Sequence, residues 1–173
     1  EGYGIYGCGI EALQLFHDML EQGILPNGVT FLSLLSGCSH SGLLKEGCEL
    51  FHVMKWIHGV EPELAHYTSM VDLLGRSGKL KDALALILKM DVDADSRIWG
   101  ALLAACRVHG DSKIGEFAAH RLQEMESDNA GYYTVLGNMQ SGAGQWDKAE
   151  GVRRVVREKD LRRSPGWSYL STQ

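Results

Sequence analysis

A turn that contains glycine recurs five times along this chain of 173 residues, and each copy leads into an apolar helical segment. The glycines of the five copies lie 35, 36, 32 and 34 residues apart; they are Gly7, Gly42, Gly78, Gly110 and Gly144. A period of this length is typical of helical repeat arrays, in which each unit is one pair of helices. Such arrays often bind extended ligands, so the period constrains both the fold and the class of function.

Apolar residues at helical spacing predict one helix on each side of every turn. The predicted helices cover residues 10–22, 31–40, 45–54, 68–76, 81–90, 99–109, 114–125, 133–143 and 147–159. Stacked pairs of this kind form an all-α, right-handed α-solenoid with a concave groove. We expect small residues to let the two helices of a unit approach closely, and we expect two tryptophans in the core. The small residues are Ala12, Gly47, Ala83 and Ala149, and the tryptophans are Trp99 and Trp146.

Charge is unevenly distributed along the chain. The net charge of −5 argues against an indiscriminate phosphate binder, and 45% hydrophobic residues suffice for a continuous core. Residues 1–95 carry a net charge of −7, whereas residues 96–173 carry +2. The chain has no run of about 18 apolar residues, so no membrane-spanning helix is predicted. Because it begins at Glu1 within a unit, we interpret it as part of a longer protein.

The cysteines do not have the spacing of a metal site. Cys8, Cys38, Cys48 and Cys106 form no CxxC pair. Cys48 and His52 lie four residues apart and could share a helix face as ligands, but Cys48 is better interpreted as a small residue in a helix seam. The HxE and PCxxC motifs of zinc-dependent cytidine deaminases are also absent from the sequence. We therefore expect no metal, no cofactor and no small-molecule substrate.

Several segments resemble a known repeat family. EALQLFHDM (11–19), GILPNGVTF (23–31) and GVEPELAHY (59–67) resemble the plant pentatricopeptide repeat (PPR) family, and the alternation of long and short units resembles its PLS subclass. IWGALLAACRVHGD (98–111), LQEMESDNAGYYTVLGNM (122–139) and SPGWSYL (164–170) resemble the E domain of plant organellar RNA-editing factors. The sequence departs from the family pattern at two places. Residues 93–95 lack the proline usual at a unit end, and Met139 and Gln140 replace an apolar–tyrosine pair. Both departures affect details of packing.

The resemblance implies a division into units. Residues 1–27 are the second half of a truncated repeat, 28–63 an L-type repeat, and 64–95 an S-type repeat. Residues 96–129 and 130–163 are two E-domain repeats, and 164–173 begin the extended E region. A tetratricopeptide-like scaffold that binds proteins remains the alternative, although that family keeps a steady period of 34 residues.

Members of the PPR family read single-stranded RNA at one base per unit, through the fifth and last residues of the unit. Carried onto this sequence, the reading pair is Thr68 and Asp95 in unit 64–95, a combination that favours guanine in the family. Leu32 and Glu63 are the weak pair of unit 28–63, and Asn27 is the last residue of the truncated unit. Candidate residues for sandwiching a base are Val29, Phe31 and Ala65. Alternatively, Thr68 is a helix-start residue bonded to its own backbone and Asp95 is a helix cap.

The basic residues near the end of the chain have two interpretations. They could contact RNA phosphates, or they could form the solvated face of the last helix; they are Arg153, Arg154, Arg157, Lys159, Arg162 and Arg163. The resemblance implies a non-catalytic module that guides C-to-U editing in a mitochondrion or chloroplast. Its implied partners are single-stranded organellar RNA and two kinds of editing protein, a deaminase-domain protein and multiple organellar editing factors. Any deaminase activity would come from a missing domain or act in trans.

Overall fold

The computed structural model describes residues 9–126 and 129–159, and all regular secondary structure in those ranges is helical. The helices are α1 (Gly9–Glu21), α2 (Gly28–Ser41), α3 (Leu44–Trp56), α4 (Leu64–Arg76), α5 (Leu80–Lys89), α6 (Ser96–His109), α7 (Ser112–Met125), α8 (Ala130–Gly142) and α9 (Trp146–Glu158). They form four pairs, α2–α3, α4–α5, α6–α7 and α8–α9, preceded by α1. None of these helices is long and apolar enough to cross a membrane.

The recurring glycines make the tight turns within the pairs. Gly42, Gly78, Gly110 and Gly144 have φ between 69° and 75°, and two of them are the C-caps of α2 and α6. This left-handed conformation is readily adopted only by glycine, because a Cβ atom would clash with the backbone. Glycine therefore recurs in the sequence because each turn requires a left-handed backbone conformation.

The first helix of each pair begins three or four residues earlier than predicted. Asn27, Glu63, Asp95 and Asn129 are the N-cap residues of α2, α4, α6 and α8. For Asn27, Asp95 and Asn129, a side-chain oxygen accepts a backbone N–H of the first turn. Such a bond satisfies one of the free donors at a helix start and stabilises the helix by about 1 kcal/mol.

The helices form two layers of unequal spacing. α2 packs directly against α4, and α4 packs against α6, whereas α3 and α5 approach each other much less closely. The stack therefore curves toward the layer of first helices, which forms the concave side. α8 packs on α7 and α9 and lies less close to α6 than α4 does.

Two apolar clusters fill the space between the layers. One lies among α2, α3 and α4, and the other extends from α4 to α8. The fourth residue of every unit is aromatic and buried: Phe31, Tyr67, Trp99 and Tyr133 are 0%, 6%, 2% and 6% exposed. Trp99 confirms the expected core position. The prediction for Trp146 is wrong, because its side chain is 64% exposed at the start of α9.

The small residues of the second helices also act between units. A Cβ atom on Gly47 would lie 2.3 Å from Leu73 Cδ2 of the next unit and 3.3 Å from Cys38 Cβ of its own unit. Gly115 was not predicted from the sequence. A Cβ atom there would lie 2.3 Å from Met139 Cε of the next unit and 3.3 Å from Cys106 Cβ of its own unit. The closest approach is therefore between a second helix and the following unit, in addition to the expected approach within one unit.

Candidate nucleic-acid interface

The first helices present an equivalent stripe of residues, spaced by four, on the concave side. Residues at this spacing share one helix face, and every stripe residue is half-buried or exposed. The stripe comprises Leu32, Ser36 and His40 on α2; Thr68, Asp72 and Arg76 on α4; Gly100, Ala104 and Val108 on α6; and Thr134, Asn138 and Gly142 on α8. A hydroxyl, a carboxylate and a guanidinium group thus line α4, whereas α6 presents no polar side chain there.

Thr68 lies in the second turn of α4 and is half-buried. Its hydroxyl donates a hydrogen bond of 2.8 Å to the carbonyl oxygen of Leu64. Thr68 is therefore not at the start of a helix. Its hydroxyl does, however, bond to the backbone of its own helix, as the alternative interpretation expected. Because the hydroxyl hydrogen is used, the oxygen presents its remaining lone pairs to the groove and acts as an acceptor.

Asp95 caps α6 and stays ionised. One carboxylate oxygen accepts the backbone N–H of Ile98 at 3.0 Å, and the other accepts Nε–H of Arg97 at 2.6 Å. Burial alone would raise the pKa of Asp95, but these hydrogen bonds and the charge of Arg97 outweigh it and lower the pKa below its ordinary value. The backbone N–H of Arg97 also bonds to this carboxylate. A carboxylate has about four lone-pair sites, so an acceptor site remains after the three bonds.

The two preceding cap residues differ from Asp95. Asn27 is exposed, and its Oδ1 accepts both the N–H and the hydroxyl of Thr30. No bond to another described residue occupies the Nδ2 donor of Asn27. Glu63 is exposed, and its backbone N–H donates to His66 Nδ1 at 3.0 Å. Leu32, the partner predicted for Glu63, is half-buried and has no hydrogen-bonding group, so it can contribute only apolar contact.

The residues predicted to sandwich a base are exposed to different degrees. Val29 is 73% exposed and Ala65 is half-buried. Phe31 is fully buried, with its ring 5.7 Å from that of Phe16 and 5.4 Å from that of His58. The prediction for Phe31 is therefore wrong, because the helix starts earlier than expected and residue 31 faces the core.

Arg97 is a candidate that the sequence analysis missed. It is the second residue of unit 96–129, the register occupied by Val29 and Ala65 in the two preceding units, and its side chain is 71% exposed. A guanidinium plane can stack on an unpaired base, so Ala65 and Arg97 could flank one nucleotide. Comparing the second residues of successive units would have identified Arg97 from the sequence.

A shallow cavity of about 320 Å³ separates α4 from α6 on the same side. Its floor is made of small residues, and Gly75 approaches so closely that a Cβ atom there would lie 2.7 Å from Ala105 Cβ. Arg76, Arg107 and His109 lie along it. Arg76 is paired with Asp72 at 2.9 Å, while Arg107 has no ion-pair partner in the described ranges. Asp72 also lines the cavity and lies one helical turn from Thr68 along α4.

The equivalent reading positions of unit 96–129 are occupied differently. The fifth residue is Gly100, beside which a Cβ atom would meet nothing within 4 Å. The last residue is Asn129, whose Nδ2 donates to Glu126 Oε2 at 3.0 Å and whose Oδ1 accepts Gly131 N–H at 3.0 Å. Hydrogen bonds from Ser96, Asn129 and Tyr132 lower the pKa of Glu126. The carboxylate therefore stays ionised and continues to accept the hydrogen bond from the Asn129 amide. This unit has no side chain at one reading position and an occupied amide at the other.

The described arginines of α9 are paired on the surface. Arg153 donates to Ser141 Oγ at 3.2 Å, Arg154 lies 3.9 Å from Glu158, and Arg157 donates to Glu150 at 2.5 Å. Exposed pairs of this kind contribute about 0–1 kcal/mol, so a phosphate could compete for these arginines. Arg162, Arg163 and the segment 164–170 lie outside the described residues.

Nothing in the described ranges groups three or more His, Cys, Asp or Glu side chains in a way that could hold a metal ion. Burial raises the pKa of Cys38 to about 11 and that of Cys106 to about 12, with smaller contributions from Glu46 and Asp111. Both thiols are therefore poor nucleophiles. Cys48, expected in a seam, is exposed and borders a cleft between α3 and α5; Cys8 lies outside the described residues.

Comparison with known proteins supports the same family over most of the chain. The model described as PPR repeat matches residues 1–24, 29–57 and 65–93, and the model described as E motif matches residues 109–171. Three pentatricopeptide repeat-containing proteins of Arabidopsis thaliana are 45%, 46% and 46% identical to this chain over 97%, 98% and 97% of its length. The second is named mitochondrial and the third chloroplastic. The chain spans only 20%, 26% and 19% of these relatives.

Solved structures share the fold at low sequence identity. The pentatricopeptide repeat protein PPR10 from maize, in complex with an 18-nucleotide psaJ RNA element, is 21% identical, with a TM-score of 0.66 over 85% of this chain and 22% of PPR10. The PPR domain of Arabidopsis thaliana protein-only RNase P 1, in complex with tRNA, is 19% identical, with a TM-score of 0.74 over 94% of this chain and 87% of the domain. These likenesses confirm the predicted α-solenoid.

Proposed function

This chain belongs to the pentatricopeptide repeat family and carries an E motif after its repeats, and from that premise we propose that it is a sequence-specific module for binding single-stranded RNA. The E motif is consistent with the PLS subclass. The observation that carries the proposal is the pair of acceptors, Thr68 and Asp95, at the junction of α4 and α6. Relatives named mitochondrial and chloroplastic support an organellar location.

The chemistry of the pair favours guanine. The Watson–Crick edge of guanine offers two donors, N1–H and N2–H, whereas the edges of adenine, cytosine and uracil offer fewer donors beside each other. The ionised Asp95 keeps a free acceptor site, and the Thr68 oxygen is an acceptor because its hydrogen is donated to the carbonyl oxygen of Leu64. Ala65 and Arg97 would lie on either side of the base. Arg107 is available to an adjacent phosphate, whereas Arg76 would have to exchange its bond to Asp72 for one.

The test is fluorescence anisotropy with short single-stranded RNAs that differ only at the nucleotide facing this junction. We expect guanine to bind tighter than adenine by about tenfold, the equivalent of one or two net hydrogen bonds. In Asp95→Asn the preference should shift toward adenine, because an amide offers one donor and one acceptor, as the adenine edge requires. Asparagine also keeps the helix cap, so the variant should fold.

Thr134→Ala is the matched control. Thr134 makes the same backbone bond in α8, with its hydroxyl 3.0 Å from the carbonyl oxygen of Ala130, but it lies in the E region. Thr68→Ala should reduce the guanine preference, and Thr134→Ala should leave it unchanged. Equal binding of all four bases by the unaltered chain would refute base reading.

We further propose that the module guides C-to-U editing and that the E region recruits the editing machinery. The exposed apolar stripe of α6, with Val108 73% exposed and Ala104 beside it, supports a protein contact rather than base reading at unit 96–129. Deaminase activity would be supplied by another domain or protein. A pull-down with a deaminase-domain protein and with multiple organellar editing factors tests this role. Val108→Asp should weaken capture, whereas Val29→Asp, a change of the same kind in unit 28–63, should not.

The alternative is a tetratricopeptide-like scaffold that holds a protein without reading RNA. The same stripe on α6 is compatible with it. Loss of capture in Val108→Asp combined with no RNA binding by the unaltered chain would favour the scaffold.

A further inference from the structure

His66 is a buried polar side chain for which the base-reading scheme has no role. It is the third residue of unit 64–95 and is only 2% exposed. Both of its ring nitrogens are bonded to backbone groups. Nε2 lies 2.8 Å from the carbonyl oxygen of Gly28, and Nδ1 lies 3.0 Å from the backbone nitrogen of Glu63.

These two partners determine the tautomer of the ring. A carbonyl oxygen can only accept, so Nε2 must carry the hydrogen that it donates to Gly28. A backbone N–H can only donate, so Nδ1 must be unprotonated and accept from Glu63. The ring is therefore a neutral bridge with a defined direction.

The bridge crosses the boundary between two units. Gly28 is the first residue of α2 and follows the cap Asn27, whereas Glu63 is the cap of α4. The ring also lies against Gly28, where a Cβ atom would be 3.6 Å from its Cε1. His66 thus connects the starts of two neighbouring first helices, which carry the positions predicted to face RNA.

In the described part of the chain, the third residues of the other units make different contacts. At the third position they carry Thr30, Ile98 and Tyr132. Within the described residues, Thr30 bonds inside its own cap, and Ile98 is apolar and buried. Tyr132 donates to Glu126 at the end of α7 and also has a hydrogen bond with Ser96, the first residue of α6, so side chains rather than a buried histidine link the starts of α6 and α8. The other ends of α2 and α4 are joined by Ser39, whose hydroxyl donates to Asp72 at 2.6 Å. The α2–α4 junction is therefore held at both ends, and His66 holds the end nearest the caps.

We infer that His66 is a positioning residue that fixes the distance and rotation between the base-facing positions of units 28–63 and 64–95. The inference rests on the proposed RNA-reading function. Without the bridge, Ser39 and the apolar core still hold the far ends of α2 and α4. The first turns of the two helices can then move apart. Thr68 is two residues along α4 from His66, so this motion displaces Thr68 relative to a nucleotide held by α2.

Two substitutions separate the two bonds. Glutamine places an amide nitrogen near the site of Nε2, so His66→Gln keeps the bond to Gly28 and loses the bond to Glu63. Asparagine places an oxygen near the site of Nδ1, so His66→Asn keeps the bond to Glu63 and loses the bond to Gly28. His52→Gln is the control, because His52 is an exposed histidine of α3, outside the concave stripe, without a hydrogen-bond partner among the described residues.

The readout is the ratio of the dissociation constants for RNAs carrying adenine or guanine opposite Thr68 and Asp95. We expect both His66 variants to reduce this ratio by about fivefold, comparable to the loss of one hydrogen bond, and His52→Gln to leave it unchanged. A purely structural role would lower the melting temperature and leave the ratio of the folded protein intact, which would overturn the inference while the proposed function stands. A ratio of one in the unaltered chain would refute the proposed function and this inference together.

A measurement on the unaltered chain covers the case in which the variants do not fold. The ¹⁵N chemical shifts of the His66 ring should indicate a protonated Nε2 and an unprotonated Nδ1, and the Glu63 amide should exchange slowly with solvent. The opposite tautomer, or a rapidly exchanging Glu63 amide, would overturn the bridge.

Discussion

Units 64–95 and 96–129 are built around equivalent buried aromatic residues, Tyr67 and Trp99, but they present different chemistry to the concave side. The stripe on α4 contains Thr68, Asp72 and Arg76, whereas the stripe on α6 is made of glycine, alanine and valine. The last residues differ as well, because Asp95 retains an acceptor site and the amide of Asn129 is held by Glu126. The same helix-pair fold thus presents a polar concave face in one unit and an apolar concave face in the next.

The stacking changes at the same place. α2, α4 and α6 form a continuous row, while α8 packs on α7 and α9 and approaches α6 less closely. A row of evenly spaced first helices is needed to present one position per nucleotide. The comparison therefore indicates that the continuous row of first helices ends at α6 and that the following pair has a different geometry.

The largest expected effect tests what the two regions share. Phe31→Ala and Trp99→Ala should each lower the free energy of unfolding by about 3–5 kcal/mol, because both remove a large buried ring. Chemical denaturation measures both values. A small loss for Phe31→Ala would contradict its burial and would restore it as a base contact.

The next prediction compares a rigid with a flexible neighbour. Gly47→Ala should destabilise by about 1–2 kcal/mol, because Leu73 is fully buried and cannot move aside from the new methyl group. Gly115→Ala should be neutral or slightly stabilising, because the atom in its way is the end of the Met139 side chain and alanine favours the helix. Thermal unfolding of the two variants under one set of conditions checks the difference. Equal losses would mean that Met139 is as constrained as Leu73.

A third prediction attempts to give unit 96–129 a reading pair. Gly100→Thr should be accommodated, since the site is open, and by itself it should change RNA affinity by less than about twofold. Combined with Glu126→Ala, which releases the amide of Asn129, it should create a base preference of about two- to fivefold at the facing nucleotide. Anisotropy with the four bases at that nucleotide measures it. A preference in Gly100→Thr alone would show that Asn129 is already available.

The smallest expected effect is a dependence of stability on acid. The pKa values of Asp95 and Glu126 are lower in the folded protein than the ordinary values of 3.8 and 4.5. Their stabilisation is therefore fully present above those values and is lost as the pH falls through the folded pKa. The melting temperature should be steady near neutral pH and fall below about pH 4.5.

Asp95→Asn and Glu126→Gln should each reduce that fall. Asp93→Asn is the control, because the Asp93 carboxylate makes no hydrogen bond or ion pair within the described part of the chain. Unchanged acid sensitivity in both test variants would mean that other carboxylates control it.

Much of the fold could be predicted from local patterns. The helix pairs, their order and the turns within them follow from apolar spacing and from glycines at the left-handed positions. The starts of the first helices were predicted three or four residues too late, because the caps are polar residues outside the apolar pattern. That shift explains the error at Phe31, whose side chain lies in the core.

The candidate site was predictable only in part. Thr68 and Asp95 were identified through the family resemblance, and their role in base reading stays a prediction. The free lone pairs of Asp95, the occupied amide of Asn129 and the exposure of Arg97 could not be read from the residue types. Each depends on which neighbouring group donates or accepts, and those groups come from the next turn or the next unit.

The sequence by itself determined the repeated helix pair, because its period and its glycines act within one unit over short distances. Only the tertiary structure decided which faces are covered, since burial depends on the neighbouring unit. In the folded chain Trp146 is exposed, Gly115 lies against Met139, and α8 lies farther from α6 than α4 does. His66 lies between Gly28 and Glu63. Contacts between units join residues more than 20 positions apart, and a local pattern does not specify them.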